Sequence, residues 1–303
     1  MLKFATIGFF QGAVYGLLAV GIVLVYKGTR VFNFAQAEFG SVAALLLFTL
    51  HDQNHVNYLL AVIIALAAVL GIGLAVERLI IRPLMNAPRV TLIVATVGVA
   101  LFLISIELIY SGTTPRVISP AWHDPVNSSN QIVGINIFGV GIMRQQILVL
   151  IVLAALAVAL AYFFNRTDRG LAVLGTSEDP TAARVVGVSV VGMSRFLWGF
   201  AALLGGIAGI LYGPVTVAAP GFMTAVQGVE VLIPAFTAAV LGGMTSLAGA
   251  FIGGILVGIA QNLGIYFLGQ KAGVSGAPEL SVFVLLLVVL LARPQGLFGK
   301  ETA

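Results

Sequence analysis

The 303-residue chain is 60% hydrophobic and 9% charged, with 36 glycines, no cysteine and a formal net charge of +4, and its mean hydropathy is +1.10. Soluble domains carry roughly a quarter charged residues, so this composition excludes a water-soluble enzyme and points to a chain whose solvent is lipid. Lack of cysteine excludes disulfides and thiolate metal sites, and the 15 basic residues are scattered rather than clustered, which excludes a nucleic-acid surface and fits the loop bias of a membrane protein.

Long uncharged runs match the roughly 20 residues a helix needs to cross the hydrocarbon core. Nine segments follow in order: 5–26, 33–50, 57–76, 91–110, 146–164, 196–218, 229–243, 249–268 and 279–293. Strand-length alternation does not mark these runs, so the predicted fold class is all-α, a polytopic transmembrane helical bundle of about eight to nine membrane segments. The first run lacks a basic leader and a cleavage site, so it reads as a retained span. With loops 27–32, 77–90, 165–195 and 294–303 inside, and Arg293 counted with the last, every basic residue except Lys3, Arg116, Arg144 and Lys271 lies inside. That bias sets the N-terminus outside and the C-terminus inside. The pairs Gly205/Gly209, Gly209/Gly213, Gly249/Gly253 and Gly254/Gly258 predict helices packed backbone to backbone.

The second segment opens on Asn33-Phe-Ala-Gln36-Ala-Glu38-Phe-Gly40, which gathers amides and a carboxylate at the start of a span. Two readings stand here: a pathway lining, or a helix capped by Asn33 with Glu38 reaching to the surface. His51 and His55 lie in a connector that reads as solvated. Glu107, close to Tyr110 and Gly112, reads as sitting at the outer boundary, and Glu230 as interfacial. The outer loop 111–145 holds Pro115, Pro120 and Pro125 and then a β-branched, glycine-broken run from Gln131 to Met143, which predicts a small extracytoplasmic hairpin cap. The Asn127-Ser128-Ser129 sequon reads as chance. Segment 229–243 is short and contains Pro234, which predicts a broken or re-entrant helix lining a pathway.

The inner loop 165–195 carries the clearest signal. Ser177 is expected to cap a helix over 178–186, with Glu178, Asp179 and Pro180 in its first turn and Gly187 turning the chain out of it. Such a helix is too short to stand alone, and it is suited to a groove of another protein. None of the four lysines sits in a Gly-Lys-Ser/Thr context, and no zinc-protease or nucleophile-elbow motif occurs. Nucleotide hydrolysis is therefore not expected on this chain, and no cofactor is expected. Polar groups available to a path are Asn33, Gln36, Glu38, Thr96, Gln261 and Asn262, which suit a zwitterion or a neutral polar solute. The rival reading is an autonomous secondary transporter or channel, for which Glu38, Glu107 and Glu230 are the available carboxylates.

Four stretches together resemble the inner-membrane permease of a bacterial ABC importer for branched-chain amino acids, the LivH type. They are Val31 to Gly40, Arg82 to Arg89 running into Ala95 to Phe102, Ser177 to Gly187, and Ala235 to Gly254. The resemblance implies a machine of this chain, a second related permease subunit, two cytoplasmic ABC ATPase subunits and an extracytoplasmic substrate-binding protein, in the bacterial inner membrane. It makes Ser177–Gly187 similar to the ATPase-coupling segment, with Glu178, Ala183 and Gly187 at matching positions and Asp179 beside them. It also brings in urea and short amides as alternative cargoes. Where the family often has His-Gly, this chain has Gln36-Ala37, which leaves a polar side chain but no imidazole.

Overall fold

The first helix, α1 (Leu2–Thr29), runs through the middle of the molecule in the computed structural model, which describes residues 1–112, 116–119, 135–137, 140–178, 180–215, 222–223 and 227–299. Its apolar stretch is 89% buried, as expected of a helix that is hydrophobic all round. Around it lie α2 (Gln36–Leu47), continued by a π turn over Phe48–Gln53, and α3 (Tyr58–Val76), continued by a π turn over Glu77–Ile81. Then come α4 (Arg89–Ser111), α5 (Arg144–Arg166), the short α6 (Asp168–Glu178) and α7 (Pro180–Val185), and α8 (Val190–Tyr212). The chain ends with α9 (Gln227–Gly242), α10 (Leu247–Gly264), extended by a π turn over Ile265–Lys271, and α11 (Ala277–Ala292). Among the described residues six helices are long and apolar enough to cross a membrane, and two shorter apolar helices accompany them. The predicted helical bundle is what is found.

Glycine sets how these helices meet. Gly8, Gly12 and Gly16 of α1 lie against Gly258, Gly254 and Phe251 of α10, so the two helices run antiparallel, and a Cβ on any of the three would strike the α10 backbone. Gly205 and Gly209 of α8 face Gln36 and Gly40 of α2 in the same way, and Gly249 and Gly253 of α10 face Gly242 and Ala238 of α9. Lipid tails give no hydrophobic push between helices, so close backbone approach and its dispersion contacts hold them together. Two apolar cores result, one among α1, α5, α8, α9 and α10, the other among α2, α3, α4 and α8. α8 serves both, with Leu197 in the first and Trp198 in the second.

α9 is one continuous helix with Pro234 inside it, not the broken segment expected from the sequence. A proline forfeits one backbone donor and crowds the carbonyl four residues back, and packing against neighbouring helices tolerates this in a bundle. Two small pairings cap one end. Ile135–Ile137 (β2) and Val140–Ile142 (β3) form the expected antiparallel hairpin, and Arg116–Val117 (β1) pairs with Phe222–Met223 (β4). At the other end, Lys27 Nζ donates to the Thr245 carbonyl (3.2 Å), and a cleft of about 550 Å³ lined by Lys27, Asn165, Leu174, Thr245 and Phe251 opens between α1, α5, α6 and α10.

Candidate functional site

α2 begins inside the bundle. Gly21 of α1 lies against the Gln36 side chain, eight residues before α1 ends at Thr29, which is about 12 Å of helix. Residues 31–35 are non-helical, and Val31, Asn33 and Ala35 are buried. Irregular backbone at this depth must have its polar groups satisfied by neighbours. Asn33 Oδ1 accepts from the Ala35 amide (3.1 Å), Thr96 Oγ1 of α4 donates to the Phe32 carbonyl (3.2 Å), and the Phe34 amide donates to Thr96 Oγ1 (3.3 Å). Asn33 Nδ2 donates to Gln36 Oε1 (3.2 Å), and Gln36 Nε2 donates to the Ala201 carbonyl of α8 (2.7 Å). Asn33, Gln36 and Thr96 thus form one cluster joining α2, α4 and α8. Asn33 serves the approach to α2 rather than capping the helix itself, whose N-cap is Ala35. Over this segment Phe236 of α9 stacks on Phe34 (5.9 Å) and meets Phe32 edge-on (5.4 Å), while Tyr26 stacks on Phe32 (4.8 Å).

Gln261 and Asn262 stand in a second cluster. Asn262 Nδ2 donates to Gln11 Oε1 (2.8 Å), Gln11 Nε2 donates to Tyr15 OH (2.7 Å) and Tyr212 OH (3.3 Å), and Tyr15 OH donates to Gln261 Oε1 (2.8 Å). This network ties α1, α8 and α10. Gln11, Tyr15 and Tyr212 escape a reading by motif, although Gln11 is the one amide inside the first uncharged run.

Glu38 belongs to a third cluster. It is 1% exposed, so it does not reach to the surface, and its carboxylate lies against Gly228 at the start of α9. Ser41, one turn along α2, donates to Glu107 Oε2 of α4 (2.5 Å). Glu107 is also 1% exposed; its place near the end of α4 does not bring it to the surface, because the side chain turns inward. Glu230 is exposed.

The helix expected over 178–186 is found as α7 (Pro180–Val185), but the loop departs from its expected form ahead of it, where a second helix, α6, runs over Asp168–Glu178. Ser177 lies within α6 rather than at a helix start. The effective start signal is ten residues earlier, where Thr167 Oγ1 accepts from the Gly170 amide (3.1 Å) and Asp168 enters the first turn, an arrangement that satisfies an orphan amide and suits the helix dipole. Glu178 is the last residue of α6, and Asp179 lies outside the described residues. Ala183 of α7 is buried, and Val185 and Val186 are 83% and 78% exposed. Gly187 has φ +88°, where a side chain is strained.

Among the described residues no three metal-ligating side chains cluster. The polar side chains of the first two clusters mostly bond to one another or to backbone, which lets them hold helices in register rather than perform bond-making chemistry.

The family model for the branched-chain amino acid transport system permease component matches residues 4–293. The chain is 29% identical to the high-affinity branched-chain amino acid transport system permease protein BraD of Pseudomonas aeruginosa, over 97% of this chain and 94% of that protein. It is 27% identical to the corresponding LivH protein of Escherichia coli K12, over 95% and 92%. It is also 29% identical to a probable branched-chain amino acid transport permease protein LivH of Methanocaldococcus jannaschii, over 94% and 88%. Among solved structures, PsaBC from Streptococcus pneumoniae in complex with Fab shares the fold at a TM-score of 0.51 and 15% identity, over 96% of this chain and 92% of that one. With its apolar helices and this match along almost its whole length, the chain is a multi-pass membrane protein that belongs to the branched-chain amino acid transport system permease family.

Proposed function

We propose that this chain is one permease subunit of an ATP-driven importer for branched-chain amino acids in the bacterial inner membrane. The family match over residues 4–293 carries the reading, together with relatives named for branched-chain amino acid transport that align along most of their length. In this reading the Lys27 end faces the cytoplasm, the 165–195 loop is cytoplasmic and the 111–145 loop extracytoplasmic. The partners are a second related permease subunit, two cytoplasmic ATPases and an extracytoplasmic binding protein.

Coupling falls to α6 and α7. Val185 and Val186 project from the end of α7, which suits a hydrophobic groove on an ATPase, while buried Ala183 keeps the helix seated on its own bundle. Glu178 ends α6, and Gly187 supplies the turn back into α8; Asp179, next in sequence, is assigned to the same coupling segment. Closure of the ATPases on ATP pushes this pair and tilts the bundle. ATP shifts the equilibrium only by its unequal affinity for the two states. Translocation falls to the discontinuity before α2, where Asn33, Gln36 and Thr96 gather, with Glu38 in the first turn of α2 and Gln261 and Asn262 in the separate cluster between α1, α8 and α10; rearranging the bonds within these clusters opens polar groups to a zwitterion.

Co-expression with the partner subunits and reconstitution in proteoliposomes tests this. Leucine uptake is expected to need ATP and the binding protein and to ignore ionophores. Uptake by the chain alone, driven by an ion gradient, would assign it to autonomous transporters.

A further inference from the structure

The cleft between α1, α5, α6 and α10 is divided along its depth. At its mouth stand Lys27 near the end of α1, Asn165 near the end of α5, and Thr245 and Ser246 just ahead of α10. Lys27 Nζ, which donates to the Thr245 carbonyl (3.2 Å), is fixed there. The shaft is apolar. Val20 lies seven residues up α1 from Lys27, about 10 Å of helix, and Ala157 lies eight residues up α5 from Asn165, about 12 Å. Phe251 and Ile252 of α10 line the same depth. All three helices are long and apolar enough to cross a membrane, so the shaft lies within the bilayer and the mouth at one face of it. Both α5 and α10 pack on α1 but hardly on each other, which leaves the space between them open. Its volume of about 550 Å³ falls in the range of small-ligand sites, roughly 300–1,000 Å³.

Among the described residues Lys27 is the one charged side chain that lines this cleft, and no carboxylate does. A cation, two hydroxyls and an amide at the mouth match an anionic head rich in acceptor oxygens, and a shaft of alkyl and aromatic side chains matches a hydrocarbon tail. A zwitterionic amino acid would find no carboxylate here for its ammonium group. A helix of another subunit pressed into the cleft would bury the Lys27 charge in apolar surroundings, which is costly, whereas a lipid phosphate neutralises it at the membrane face. We propose that this cleft holds one anionic glycerophospholipid, with its phosphate at Lys27, Thr245 and Ser246 and an acyl chain along the shaft between α5 and α10. Basic pockets between membrane helices on the cytoplasmic side take anionic heads in this manner. The site stands on the cleft itself, and the importer reading supplies only its leaflet, the cytoplasmic one. Leu174 of α6 lines the cleft too, so the bound lipid braces the helix that leads into the coupling segment.

The test titrates the full chain, stripped of lipid in detergent, with phosphatidylglycerol or with phosphatidylcholine of matched acyl chains, read by native mass spectrometry. Phosphatidylglycerol is expected to saturate at one tightly held molecule, bound about fivefold more tightly than phosphatidylcholine, the scale of one lysine at a membrane surface. Lys27→Gln should remove that preference, and Lys3→Gln, at the other end of α1, should keep it. Ala157→Phe combined with Ala161→Phe fills the shaft and keeps Lys27; it serves should Lys27→Gln fail to fold, and it should weaken both lipids. Equal retention of the two lipids, binding that never saturates, or a Lys27→Gln protein that keeps the preference would overturn the proposal. Displacement of the lipid by inorganic phosphate would assign the mouth to a free anion, and displacement by leucine would assign the cleft to the substrate path; either overturns the lipid site. So does loss of the lipid on assembly with a second permease subunit, which would make the cleft a subunit interface. One held lipid on a chain that gives no ATP-driven leucine uptake sinks the importer reading and leaves this site standing, whereas uptake by a complex without the lipid preference does the reverse.

Discussion

Gln36 Nε2 donates to the backbone carbonyl of Ala201 at 2.7 Å, so a side chain on the first turn of α2 is anchored to the middle of α8. The bond joins the irregular segment before α2 to the helix shared by both apolar cores. Replacing Gln36 with Leu removes it and leaves Asn33 Nδ2 and the Ala201 carbonyl without this partner. Stability is expected to fall by about 1 kcal/mol, the usual scale of interhelical hydrogen bonds in membranes, while leucine uptake falls several-fold more than protein abundance. Thermal unfolding of the purified protein beside transport normalised to protein level reads both; uptake that simply tracks abundance would remove Gln36 from the pathway.

Glycine contact between α1 and α10 leaves no room for a side chain. Gly12→Val or Gly254→Val forces apart backbones already in contact, and overpacking of this kind costs about 1–3 kcal/mol or more. Neither variant should accumulate as a monodisperse protein on fluorescence-detected gel filtration. Gly71 and Gly98 face open space, and alanine there should be accepted or gain up to about 1 kcal/mol of helix propensity.

Arg82 Nη2 pairs with the fully buried Glu77 Oε2 at 2.9 Å at the end of α3. Removing one partner strands a buried charge at a cost of about 3–5 kcal/mol, whereas replacing both with apolar or neutral groups is far milder. Arg82→Ala should therefore lower the melting temperature sharply, and the double variant Arg82→Met with Glu77→Gln should recover most of the loss. An equal loss in both proteins would show that the pair itself stabilises the end of α3.

The loop between α6 and α8 should separate folding from coupling. Gly187 sits at φ +88° with open space around it, so Gly187→Val strains the turn by about 1–2 kcal/mol without disturbing the membrane core. Val186→Asp alters the exposed tip alone. Both variants, and Glu178→Ala, are expected to insert normally, to lose co-purifying ATPase and to lose most ATP-driven uptake. Full uptake in all three would dismiss α6 and α7 as the coupling element.

Class and segment order were legible in the sequence, since lipid admits only helices or closed barrels and run length then marks each crossing. Spacing of Gly205, Gly209, Gly254 and Gly258 gave the packing faces, because small residues four apart make a smooth stripe. The helix at 168–178 was hidden: the acids and proline at 178–180, where α7 starts, form a stronger local start signal than Thr167, and the helix that Thr167 opens shows only in its contacts with α5 and α8. Pro234 misled for a similar reason, because its local cost is borne by packing that the sequence does not display.

The candidate site divides along the same line. Sequence by itself determined that polar residues stand at Asn33, Gln36, Glu38, Thr96, Gln261 and Asn262, since each is conspicuous against an apolar run. Only the tertiary structure decided that these form three clusters rather than one, that Gln11 and Tyr15 complete the second, and that Glu107 turns inward to meet Ser41. Hydrophobic periodicity is nearly uniform around an intramembrane helix, so it gives no sign of which face meets which neighbour; that information lies in pairs such as Gln36 with Ala201 and Gly12 with Gly254, which are far apart in the chain and adjacent only once the helices pack.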